Sequence, residues 1–99
     1  MKSDMFRFEF EPSASLSDAE MTLHLALLSV EGLFGEARVR LEAGYRVDRA
    51  NRQITVDGAG EVGTALIKVF TGLLNREFGE SAFQVRPEGV RAETAAAHG

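Results

Sequence analysis

Cysteine is absent from this 99-residue chain, and so is tryptophan. Without a thiol there can be no disulfide, no thiolate metal ligand and no cysteine nucleophile. A chain of this kind fits a reducing, cytoplasmic location. A basic excess is also missing: eleven Lys and Arg stand against fifteen Asp and Glu, for a formal charge of -4. That balance argues against nonspecific nucleic-acid binding, which needs surplus cations. Long apolar runs are missing too. The longest, Leu25 to Leu28, is far short of the roughly 20 residues that span a bilayer. The opening Met1-Lys2-Ser3-Asp4 leads into no apolar block, so neither a signal peptide nor a membrane partner is expected.

What is present supports one small core. At 44% apolar and 26% charged residues, the chain suits a single domain, expected over residues 1–87. Residues 88–99, with Ala95-Ala96-Ala97 and no apolar period, read as a disordered tail.

The stretch from Ile54 to Val85 organises the rest. It reads as strand, glycine-rich turn, helix, stop and strand. Val62, Ala65, Leu66, Val69, Phe70 and Leu73 recur at three- and four-residue spacings, with Glu61, Thr64, Lys68, Thr71 and Asn75 opposite. Gly79 follows as a left-handed cap.

Upstream, Met5 to Glu11 alternates strictly. Phe6, Phe8 and Phe10 share one face; Arg7, Glu9 and Glu11 share the other. Ser17 with Glu20 suggests a capping box, opening a helix to about Leu33. This helix carries two apolar lines: Leu23, Ala26, Leu27, Val30 and Phe34, and beside them Met21, Leu25 and Leu28. One line suffices for a core, so the second is expected to meet another subunit.

Glu36 to Asp48 reads as extended, because Ala37, Val39 and Leu41 alternate with charges, with a bulge or a turn at Ala43-Gly44. Asp48 to Asn51 reads as a turn closed by a left-handed Asn, and Arg52 to Asp57 as the returning strand. That strand is short, so Ala37 to Glu42 would overhang as an unpaired edge. Pro87 is expected to end the last strand.

Phe-Gly-Glu closes both helices, at Phe34-Gly35-Glu36 and at Phe78-Gly79-Glu80, and each is followed by a segment containing Val-Arg. The resulting order, βαββαβ, is the ferredoxin-like arrangement. It implies an α+β fold with a four-stranded antiparallel sheet and two helices packed on one face.

Chemistry is sparse. Gly58, Gly60 and Gly63 match the spacing of a dinucleotide fingerprint between a strand and a helix, which would offer amide groups to an anion. Val85-Arg86, however, stand where the ribose-binding acid belongs, and Glu61 inside the turn would repel phosphate. A glycine at a helix–sheet contact explains the pattern as well. His24 has no acid–base partner nearby, and His98 falls in the tail. No catalytic, cofactor-binding or metal-ligating residue is assigned, and no enzyme activity or cofactor is expected.

Arg38, Arg40, Arg46, Arg49 and Arg52 form the only basic concentration, which invites comparison with RNA-recognition sheets. Those sheets stack bases on aromatics, and only Tyr45 is free to serve.

The expectation is therefore a homo-oligomeric interaction module. Its interface would use Leu28 on the first helix, or strand addition at Arg38, Arg40 and Glu42. Small-ligand or anion binding at Gly58 to Gly63 is the alternative, with RNA binding through the arginine-bearing sheet behind it.

Overall fold

A computed structural model describes residues 4–88 of the chain. Of the tail expected over residues 88–99, residues 89–99 lie outside them, and Glu88 belongs instead to the last strand. The elements run β1 (Met5–Phe10), α1 (Leu16–Phe34), α2 (Glu36–Glu42), β2 (Tyr45–Asp48), β3 (Gln53–Asp57), α3 (Gly60–Phe78), a 3₁₀ turn (Glu80–Ala82) and β4 (Phe83–Glu88). The four strands form one antiparallel sheet in the order β2-β3-β1-β4. The protein is thus α+β, an open sheet with three helices.

The alternation of β1 sorts the two faces as expected. Phe8 is fully buried, Phe10 nearly so, and Phe6 packs at the margin of the core. The Phe8 ring lies 4.7 Å from that of Phe70 on α3 and 6.3 Å from that of Phe83 on β4. Ile54 and Val56 of β3 join them from the same face. Above this layer sit Leu23, Ala26 and Val30 of α1 with Val62, Leu66, Phe70 and Leu74 of α3.

Several local expectations are corrected. Ser15, not Ser17, caps α1: its hydroxyl accepts from the Asp18 amide at 3.2 Å. Glu20 is instead drawn to Arg49, at 2.6 Å. The β2–β3 turn is opened by Asp48, whose carboxylate accepts from the amide and side chain of Asn51. Its left-handed residue is Arg52, at φ 54°, rather than Asn51. The Arg52 guanidinium donates to the carbonyls of Glu11 and Ala14, tying the β1–α1 loop to this hairpin.

The largest correction concerns residues 36–42. They form a helix, so no strand edge overhangs there and no bulge at Gly44 is needed. Glu36 pairs with Arg40 at 2.6 Å and Arg38 with Glu42 at 2.9 Å, both one helical turn apart. Val39 alone is buried, while Leu41 is 86% exposed, so the apparent alternation never described a buried face. The second Val-Arg of the echo lies in β4, but the first lies in this helix. Both Phe-Gly-Glu glycines do share a backbone shape, φ 93° and ψ 145° at Gly35 against φ 88° and ψ 156° at Gly79. Both have the positive φ that the cap expected at Gly79 requires, but with an extended ψ in place of the helical one, a combination reserved to glycine.

Pro87 does not end β4. In a central antiparallel strand, alternate residues bond to alternate neighbours. On β1 the even-numbered residues bond β3, as in the bond from the Phe10 amide to the Arg52 carbonyl (3.0 Å). The odd-numbered ones bond β4 and its lead-in, as from the Glu11 amide to the Ala82 carbonyl (2.9 Å). Pro87 is in register with Phe6, so its nitrogen points away from β1 and the ladder loses nothing.

Candidate functional site

Helix α1 is held by one face and bare on the other. Leu16, Ala19, Leu23, Ala26 and Val30 are buried. Met21, Leu25 and Leu28 are 64%, 56% and 61% exposed. Their four- and three-residue spacings set them in one line over two turns, and Gly32 continues that line by one more. Beside the line, His24 meets the Tyr45 ring edge-on, with centroids 6.1 Å apart. No basic residue occupies the last turn of α1. The expected interface residue Leu28 is therefore at the surface, in the middle of an apolar stripe.

The other three expected interface residues are placed elsewhere. Arg38, Arg40 and Glu42 lie on α2 and are engaged within the chain. Arg38 also reaches Glu61 of α3 at 2.9 Å and rides 5.0 Å over the Phe34 ring. Its guanidinium is held above its ordinary pKa by the hydrogen bonds to Glu61 and then Glu42. Cross-chain strand pairing at these positions is excluded, because they are not a strand.

The glycine-rich turn has a packing cause at two of its three positions. A Cβ on Gly63 would stand 2.5 Å from the Gly58 carbonyl carbon and 2.7 Å from the Asp57 oxygen. One on Gly58 would press on Ile67 and Phe6 at 3.0 Å. Gly60 has open space but a φ of 73°. The Ala59 amide is already taken by the Asp57 carboxylate at 2.9 Å. Next to the turn is a shallow groove of about 430 Å³, lined by Phe34, Gly60, Glu61, Thr64, Ala65 and Lys68. Among the described residues, Lys68 makes no ion pair.

The open face of the sheet is a charge lattice. Arg46 of β2 reaches Glu88 of β4 at 3.9 Å; Glu88 takes Arg7 of β1 at 3.0 Å; Arg7 takes Glu9, and Glu9 takes Arg86, both at 2.8 Å. Three arginines and two glutamates thus tie the sheet across its width. Thr55, in register with Arg7 and Arg46, is buried on this same face. The hydrogen bond from Arg86, reinforced by the charges of Arg86 and Arg7, holds Glu9 below the usual carboxylate range. Tyr45 is in register with core-facing Val56, so its ring belongs to the helix side. Among the described residues this charged face carries no aromatic ring.

The five arginines singled out in the sequence form no single patch. Two are on α2, Arg46 is in the lattice, Arg49 holds Glu20, and Arg52 serves the β1–α1 loop. Sequence reasoning missed Gly32 as part of the α1 stripe, although its spacing from Leu28 was there to read. Among the described residues no helix is long and apolar enough to cross a membrane. No protein-family model, no curated protein and no solved structure matches this chain.

Proposed function

We propose that this chain is a ferredoxin-like sandwich, elaborated by α2, that works as a self-associating interaction module in a reducing compartment. The strand order β2-β3-β1-β4 supports the fold, since β1–α1–β2 and β3–α3–β4 each step over one strand. The exposed line of Met21, Leu25 and Leu28 carries the function. Isolated surface leucines are ordinary, but three in a row on one helix are a contact surface waiting for an apolar neighbour. The line exposes on the order of 300 Å² of side chain, against about 800 Å² per partner in a stable complex. Flanking residues must supply the remainder.

Sedimentation across micromolar concentrations tests this. The native chain should shift from monomer to dimer, and Leu28→Glu should stay monomeric and melt where the native chain does at dilutions that keep it monomeric. A native chain that stays monomeric throughout would sink the reading.

The groove beside Gly60 favours a second reading, a small anionic ligand with Lys68 as counter-charge. A rise in melting temperature with millimolar phosphate or nucleotide, lost in Lys68→Ala, would support it; no rise would remove it. RNA binding through the sheet is the weakest reading, given the self-neutralised, ring-free face.

A further inference from the structure

Gly32 is unexplained by its own chain. It lies inside α1, where glycine is the poorest residue after proline. Its φ is not positive, and a Cβ built on it meets nothing within 4 Å. No turn, cap or internal contact asks for it. Gly72 of α3 is equally open, but Lys68, Asn75 and Arg76, polar and exposed, stand around it. Gly32 alone continues an apolar line, and glycine on such a line lets a second helix approach closely.

We infer that the partner of this face is a second copy of α1, packed antiparallel about a two-fold axis between Ala26 and Leu27, so that Met21 of each copy seats on Gly32 of the other. This rests on the reading of α1 as a self-contact surface. The residue numbers close on themselves: with the axis there, position 21 stands opposite 32 and position 25 opposite 28. The largest knob meets the only gap, and the two leucines meet each other.

Charge selects the same direction. The ionised side chains of α1 are Asp18, Glu20 and Glu31, all acidic, with Glu20 already held by Arg49. A parallel pair would set each acid level with its own copy. The antiparallel pair sets Asp18 opposite Gly35, Glu20 opposite Leu33 and Glu31 opposite Thr22. It also brings His24 of each copy within two residues, about 3 Å along the axis, of Glu31 of the other, on the same flank.

A chain without cysteine makes the test clean. Two variants, Met21→Cys and Gly32→Cys, are made at positions where a side chain has open space. Each is oxidised alone and mixed with the other. The mixture should give a disulfide-linked dimer, and neither variant alone should. In the proposed pairing like positions are eleven residues apart along the axis, about 16 Å, too far for a disulfide. Cross-linking of either variant with itself, or none in the mixture, would overturn the register. Gly32→Ala supplies a second measure: it should raise the melting temperature of the monomer at high dilution yet weaken dimerisation at least tenfold, and unchanged association would contradict the inference. Failure of the face as a whole is separable. There the native chain stays monomeric, or Leu28→Glu still dimerises; failure of the register alone leaves a dimer that Leu28→Glu dissolves.

Discussion

Gly63 and Gly72 stand on the same helix and answer to opposite demands. A methyl group at Gly63 would overlap the backbone of Asp57 and Gly58. Gly63→Ala should therefore cost about 1–3 kcal/mol in denaturant unfolding, because backbone cannot step aside as a side-chain tip can. Gly72 has nothing near it and an ordinary φ, so Gly72→Ala should stabilise by about 0.5–1 kcal/mol. Glu9 carries a pH dependence. Its pKa is lower in the folded chain than in the unfolded one, so its stabilising contribution is complete above the unfolded value of 4.5. That contribution disappears as pH falls through the folded value. Glu9→Gln should flatten the acid limb of melting temperature against pH and leave its shape near neutrality unchanged. A limb as steep as the native one would show that Glu9 contributes nothing there.

At the scale of elements, α2 shows what periodicity leaves hidden. Seven residues hold barely two turns, and an alternation of Ala37, Val39 and Leu41 fits a strand as well as a helix. The legible signal was the charge spacing, Glu36 with Arg40 and Arg38 with Glu42, which has meaning only on a helix. The long elements were readable for the converse reason. Nineteen residues of α3 repeat their apolar face several times, and the three phenylalanines of β1 repeat theirs at period two. The misplaced cap had a different cause. Ser15 and Ser17 both suit the role, and Glu20, which favoured Ser17, was claimed by Arg49 from a distant turn. Val39 is the single buried anchor of α2. Val39→Ala should cost about 1–3 kcal/mol, since both the buried methyls and the docking of the helix are weakened. Arg38→Ala, losing exposed ion pairs and the contact with the Phe34 ring, should lower the denaturation midpoint less than Val39→Ala does.

For the molecule as a whole, one aromatic centre joins the layers. Phe8 of β1 touches Phe70 of α3 and stacks near Phe83 of β4 with no exposure of its own. Phe8→Ala should cost about 3–5 kcal/mol, a large share of the 5–15 kcal/mol that holds a domain together, and chemical denaturation would read it directly. The candidate surface was partly legible at this scale: α1 had more apolar residues than one core could take. Its polarity against the sheet was not, because the lattice from Arg46 to Arg86 joins residues from three strands that lie far apart in the chain. The orientation of Pro87 has a final consequence. Amide donors along the free margin of β4 are reduced to those of Phe83 and Val85, so a neighbouring chain docking there would find its hydrogen-bond ribbon cut short. Fibrillar growth needs both borders of every link to be adhesive, and here one border is defective. Copies of this protein should stay discrete rather than polymerise through their sheets.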